Sequence, residues 1–156
     1  MINIFYSIII LITIASSTFI FVRCGSSAQI TTQKSDRIPQ FKKILVYTGN
    51  KWDTRYMINQ IKKRTSQYEV DGTWSDRMAF NNDELLIKFL ENSQGDVLLR
   101  LNKIYNNSHG WARYEPTLEY LKTGEIIWRA IIQCGGTINY TRLILNQLKK
   151  DGVITQ

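Results

Sequence analysis

Residues 2–22 form an almost unbroken apolar run, Ile2-Asn3-Ile4-Phe5-Tyr6-Ser7-Ile8-Ile9-Ile10-Leu11-Ile12 onward to Phe21-Val22. It stops at Arg23-Cys24-Gly25-Ser26-Ser27-Ala28, and no other stretch of the 156-residue chain resembles it. About 20 apolar residues suffice to cross the hydrocarbon of a bilayer, so a run of this length and position directs the chain to a membrane. The chain therefore divides into a signal peptide or membrane-anchoring helix (1–28), a polar linker (29–41) and a single domain (42–156).

Three readings of the leader stay open. It is a cleaved secretory signal, with Ser26-Ser27-Ala28 as a small-x-small site and Gln29 the new N-terminus. Or it is a lipoprotein signal, with Cys24 the lipidated residue and Gly25-Ser26-Ser27 the start of a tether. Or it remains as one transmembrane helix. The flanks bear on each. Met1-Ile2-Asn3 carries no cation, and Arg23 stands where a lipobox has a small residue. Arg23, Lys34, Arg37, Lys42 and Lys43 after the run would hold an uncleaved anchor's domain on the cytoplasmic side. The reading favours export, with the domain on the periplasmic side of a cell envelope.

Residues 42–156 suffice for one compact core. The chain has 20 Lys+Arg against 13 Asp+Glu, a formal charge of +7. That balance permits contact with anionic lipid, cell-wall polymer or nucleic acid without choosing among them. The basic residues gather as Lys42-Lys43, Lys62-Lys63-Arg64 and Lys149-Lys150, each beside the end of a predicted element, which reads as solvated faces. Glycine-rich aromatic strands and a GXXG loop are missing, so no nucleic-acid partner is expected. Of the two cysteines, Cys134 reads as a buried small residue on a strand. One histidine and no Cys pair give no metal spacing, and no cofactor is expected.

Along the domain, Lys43–Thr48 reads as a buried strand ended by Gly49-Asn50. Asp53 or Thr54 caps a helix reaching about Gln67, with Tyr56, Met57, Ile58 and Ile61 on one side and Lys62-Lys63-Arg64 in its last turns. Tyr68-Glu69-Val70 is a second strand, followed by a polar loop over 71–80 that contains Trp74. A helix over Glu84–Ser93 packs through Leu85, Leu86, Phe89 and Leu90. Asp96–Leu101 is a third strand, prolonged towards Tyr105. In the next strand, 111–121, Leu118 and Tyr120 share one face, and Thr117, Glu119 and Leu121 the other. Lys122-Thr123-Gly124-Glu125 turns into the strand Ile126–Cys134, in which Trp128 is core. A last helix, 138–150, turns Leu143, Ile144 and Leu148 inward. The order β-α-β-α-β-β-β-α gives an α/β (α+β) fold, a mixed sheet of about five strands covered by about three helices.

The segment Glu119-Tyr120-Leu121-Lys122-Thr123-Gly124-Glu125-Ile126-Ile127-Trp128-Arg129-Ala130 resembles a hairpin of small bacterial envelope lipoproteins, whose turn has the form "x-TGE-[IV]-[IV]-W". That group includes the curli-secretion lipoprotein, the outer-membrane activators of penicillin-binding proteins and the N-terminal domain of the Tol-system propeller protein. The Lys43–Thr48 strand, the two-helix middle, Gly95-Asp96-Val97-Leu98-Leu99-Arg100-Leu101 and the closing 148–154 fall in matching order, over about residues 42–154. Where the group's first strand ends in Asp-Phe, this chain has Tyr47-Thr48-Gly49. The resemblance implies the fold and an envelope location more than any particular activity, because such folds host several unrelated roles. The non-enzymatic reading rests on the absence of a nucleophile, metal or phosphate motif.

No residue pattern names a catalytic group. His109 lies in an Asn-Asn-Ser-His-Gly turn without a partner in the sequence, and Asp71, Asp76 and Asp83-Glu84 read as loop and capping residues. Gly135-Gly136 reads as a break between strand and helix. Of the four tryptophans, Trp74 and Trp111 lie in or beside loops and are the candidates for an exposed interaction surface. The reading is a protein-interaction or assembly domain, contacting the membrane through its leader and an envelope protein or a second copy of itself through its fold. Its alternatives are a basic domain adhering to an anionic polymer, or an enzyme of unrecognised type.

Overall fold

The strand β2 (Lys43–Thr48) is buried from Ile44 to Thr48, and that dictates where everything else sits. A strand with apolar side chains pointing both ways must be covered on both faces. A computed structural model describes residues 28–75, 84–106, 111–135 and 139–155, with the backbone alone at 105, 106 and 111. It places β2 inside a six-stranded sheet. The elements in chain order are β1 (Ala28–Lys34), β2, α1 (Lys51–Arg64), β3 (Glu69–Trp74), α2 (Glu84–Ser93), β4 (Val97–Asn106), β5 (Trp111–Tyr120), β6 (Glu125–Gly135) and α3 (Tyr140–Lys150).

The sheet is open and mixed, in the order β1-β6-β5-β4-β2-β3. β2 runs parallel to both β3 and β4, whereas β4-β5, β5-β6 and β1-β6 are antiparallel. The two crossovers, β2 to β3 and β3 to β4, run in opposite directions across the sheet. Connections of one hand then put α1 and α2 on opposite faces.

One core forms where Ile44, Val46, Leu99, Leu118, Trp128, Ala130 and Ile132 of the sheet meet Met57 and Ile61 of α1 and Ile144, Leu145 and Leu148 of α3. On the other face Leu45, Tyr47 and Leu98 pack under Leu86 of α2, with Phe89, Leu90 and Leu121 at the margin. The α+β class is as the sequence predicts, with six strands instead of five. The added strand is β1, in the segment read as linker. Ala28 to Lys34 pair residue by residue with Cys134 to Trp128 of β6. β1 lies at the sheet's edge, so its side chains are mostly exposed and its polar composition is no obstacle.

Local chemistry sets the boundaries. Asn50, not Asp53 or Thr54, caps α1, its side chain accepting from the Asp53 N–H at 2.9 Å. Thr54 is buried instead, its hydroxyl 2.9 Å from that of Thr48. The helix ends at Arg64, earlier than the expected Gln67. In α2 the helical period aims Leu86 at the sheet and turns Leu85, expected on the packing face, 60% into solvent. The β5-β6 turn is as predicted, with Gly124 at φ +72° and its N–H donating to the Tyr120 carbonyl at 2.9 Å. Trp128 is fully buried.

Candidate functional site

The sheet has two chemically distinct ends. At its carboxyl end finish the parallel strands β2, β3 and β4 together with β6, and there all three helices begin. The opposite, amino end holds the C-termini of α1 and α3 and the last residues of the chain.

The carboxyl end is aromatic. Trp52, on the first turn of α1, is 78% exposed and lies over Tyr56, with ring centroids 6.5 Å apart. Tyr56 accepts a hydrogen bond through its hydroxyl from the side-chain amide of Asn139, the residue that caps α3. Tyr140 stacks on Tyr114 at 4.3 Å. Burial pushes the Tyr140 phenol well above its ordinary range, and its hydrogen bond to the Asp53 carboxylate pushes the same way. Tyr114 is raised too, again chiefly by burial. These phenols therefore stay protonated, as hydrogen-bonding groups and not as bases.

Of the interaction residues read from the sequence, Trp74 is half-buried at the end of β3, with the Lys51 ammonium 5.2 Å from its ring centroid. Trp111 starts β5 opposite Gly135, also at this end, and its side chain lies outside the description. Cys24, His109, Asp76, Asp83 and Gly136 lie outside the described residues. Asp71 is exposed, its carboxylate accepting from the Gly72 N–H, and Glu84 opens α2 in solvent. Cys134 carries a free, buried thiol whose pKa burial raises. That is the opposite of what a thiolate nucleophile needs. Among the described residues no three His, Cys, Asp or Glu side chains gather as a metal site.

The amino end is basic. α1 and α3 lie side by side on the same face of the sheet, and their last turns enclose a cavity of about 390 Å³. Ile61, Leu145 and Ile154 give it an apolar floor, and Lys63, Arg64 and Lys149 stand around it. Arg64 reaches across to donate to the side-chain amide oxygen of Asn146 at 2.9 Å, fixing one guanidinium at the rim. Lys62 and Lys150, exposed next to these, extend the charge. Among the described residues no carboxylate lines the cavity. Two basic runs that read separately as solvated helix ends thus become one groove.

No known protein family's profile matches this chain, and no curated protein matches it. Among solved structures it is similar to a PelC dodecamer from Paraburkholderia phytofirmans, at 8% identity and a TM-score of 0.48, over 75% of this chain and 89% of that one. A dodecamer of a PelC point variant from the same organism gives 8% identity and 0.45, over 76% and 89%. At these values the likeness carries nothing further to this chain.

Neither the groove nor the exposure of Trp52 was legible in one dimension. Lys62-Lys63-Arg64 and Lys149-Lys150 look like ordinary cations complementing helix dipoles. Only the helices' adjacency makes them neighbours. With Asp53 or Thr54 read as the cap, Trp52 falls before the helix; the cap at Asn50 puts it in the first turn instead.

Proposed function

We propose that this chain is a membrane-tethered, non-enzymatic interaction domain of the cell envelope, its domain on the periplasmic side. The groove between α1 and α3 takes an acidic segment of a partner protein. The observation that carries this is the groove itself: Lys63, Arg64 and Lys149 around an apolar floor, with no carboxylate among the described lining residues. Cations in water hold an anion weakly. Cations over an apolar floor hold one more firmly when the ligand also buries carbon. An acidic stretch interspersed with Leu or Ile offers both. The apolar run 2–22 supports the tether, and the Thr123-Gly124-Glu125 hairpin, which resembles those of envelope lipoproteins, supports the compartment.

The test is titration of the full chain in detergent with a fluorescent Glu/Leu peptide and its Gln/Leu counterpart. The acidic peptide is expected to bind, and the neutral one to bind at least about tenfold more weakly, a difference of about 1.4 kcal/mol. The triple variant Lys63→Ala, Arg64→Ala, Lys149→Ala should lose most of that difference. Unchanged affinity in the triple variant removes the groove from the assignment. An anionic polysaccharide that binds as tightly as the acidic peptide moves it to adhesion on a polymer.

A further inference from the structure

The register of β1 fixes which way the domain faces its membrane. Ala28 pairs with Cys134, one residue from the end of β6, so the chain enters the sheet at its carboxyl end. The apolar run ends at Val22, leaving only residues 23–27 between it and β1. Each residue spans at most about 3.6 Å, so Ala28 lies within roughly 20 Å of Val22 whatever path the connection takes. If Cys24 is instead the anchoring residue, the limit falls to roughly 14 Å.

From Ala28, β1 runs roughly 20 Å down the sheet to Lys34, at about 3.3 Å per residue. The ends of α1 and α3 and the loop 35–42 lie at that far end. To bring the amino end to the lipid the connection from Val22 would have to run back along the whole of β1 fully extended, with nothing to spare, and from Cys24 it would fall short by roughly 6 Å. The end at which the chain passes from the apolar run into the sheet is the one that carries Trp52, Tyr56 and Trp74, with Trp111 at the same level of the sheet.

The chemistry there suits lipid. Trp and Tyr collect at membrane–water interfaces because their rings prefer the headgroup layer to either water or hydrocarbon. Trp52 is 78% exposed at the start of α1, where no described contact of the fold requires a large ring to face solvent. Its ring covers Tyr56 rather than a core. Around it stand Lys51, Arg55 and, in the first turn of α3, Arg142, all exposed. Asp53, the acidic side chain described on the same face, is half-buried in hydrogen bonds to Asn50 and Tyr140, and the exposed Glu84 opens α2 on the opposite face. An aromatic tip ringed by cations is complementary to a headgroup layer that contains anionic lipid.

We infer that the carboxyl end of the sheet, led by Trp52, rests in the headgroup layer of the bilayer that holds the apolar run, so that the basic groove points away from it. This rests on the tether reading above and says what the tether does: it sets orientation as well as location.

The experiment reconstitutes the full chain into vesicles of phosphatidylcholine and phosphatidylglycerol, with and without bromine atoms near the top of the acyl chains. Bromine quenches tryptophan only at short range. Wild type is expected to lose a substantial part of its fluorescence in the brominated vesicles, and Trp52→Phe to lose at least a third less. Trp52 is exposed, so its replacement leaves the fold intact, which the far-UV spectrum checks. Equal quenching of wild type and Trp52→Phe, with both chains floating with the vesicles at high pH and salt, overturns the orientation and leaves the tether standing. A chain that fails to float overturns both.

Discussion

The indole N–H of the fully buried Trp128 donates to the Asp151 carboxylate at 2.8 Å, joining the centre of β6 to the residue that ends α3. An acid at a helix C-terminus faces the negative end of the dipole, so Asp151 has no local reason to be there. Its reasons are tertiary. One oxygen accepts from Trp128, the other from Gln147 at 2.8 Å, and its backbone carbonyl accepts from Lys34 of β1 at 2.9 Å. Three elements meet at one residue. Trp128→Phe keeps most of the packing and removes the donor, at an expected cost of about 1.5–3 kcal/mol for a hydrogen bond to a charged group. Trp128→Ala should cost about 3–5 kcal/mol. Asp151→Asn, which retains an acceptor, should cost less than Asp151→Ala. Urea unfolding of the four variants checks the order, and equal losses for Phe and Ala would mean the indole's bulk contributes nothing.

Asp96 ties the start of β4 to the start of β2. Its Oδ2 accepts from the backbone N–H groups of Lys42 and Lys43 at 2.8 and 3.0 Å. Those two donors hold its carboxyl below the ordinary 3.8; burial opposes them, and the charges of Lys122 and Lys42 add lesser lowering effects. A carboxyl depressed in the folded state stabilises the protein above its unfolded pKa and ceases to as pH falls through its folded one. Asp96→Asn should therefore be less stable than wild type by a constant margin from pH 7 to about pH 5, and the margin should close below 3.8. Urea midpoints at stepped pH measure it. A gap unchanged down to pH 2 would place the stabilisation elsewhere.

Gly72 faces Val46 across the parallel β2-β3 pair, and its lack of a side chain is what lets α1 lie close above. A Cβ there would stand 2.5 Å from the Val46 carbonyl oxygen and 2.9 Å from the Thr54 methyl. The first of these is backbone and has nowhere to move. Gly72→Ala is expected to destabilise by about 1–3 kcal/mol, as overpacked cores do. Thermal unfolding followed by circular dichroism reads the loss, and a variant as stable as wild type would show that β3 slides away freely.

Cys134 is expected to be chemically silent. Burial at 5% exposure raises its thiol above the ordinary 9.0, so at pH 8 the reactive thiolate is scarce and shielded. Maleimide should label it at least about a hundredfold more slowly in buffer than in denaturant, because labelling of a group this deep needs an opening of the fold. Mass spectrometry of peptides containing Cys134 separates this signal from Cys24. Rapid labelling in buffer would show that β6 frays at its carboxyl end.

The sheet's interior was legible because its residues have little choice. Ile44–Tyr47 and Val97–Leu99 are apolar on both faces, Gly124 admits the turn, and Trp128 lies in the middle of a largely apolar strand. Surfaces were not legible for the converse reason. Lys63 and Lys149 become neighbours only once the strand order puts α1 beside α3, and nothing in a local pattern encodes strand order. Trp52 and Trp128 are the same residue type with opposite fates. The difference lies in which element each begins or crosses, since the first turn of a helix at a sheet end projects outward while mid-strand does not.

β1 shows the same lesson at its sharpest and yields the last prediction. Its sequence, AQITTQK, has one large apolar residue, so no alternation is visible, yet Ile30 sits opposite Ile132 and packs against the core while Thr31, opposite Ile131, points to the uncovered side. Edge strands survive with such compositions because only one of their faces needs to be apolar, and only one of their edges is paired. If the register is as described, Ile30→Asp buries a charge beside Ile132 and should cost about 2 kcal/mol or more, in the range for an unpaired buried polar group. Thr31→Asp, one residue on, should stay within about 0.5 kcal/mol of wild type, as surface changes do. A shift of one residue along β6 would exchange the two outcomes. Paired urea titrations of these variants thus read the strand's register, and with it the end of the sheet at which the chain enters β1.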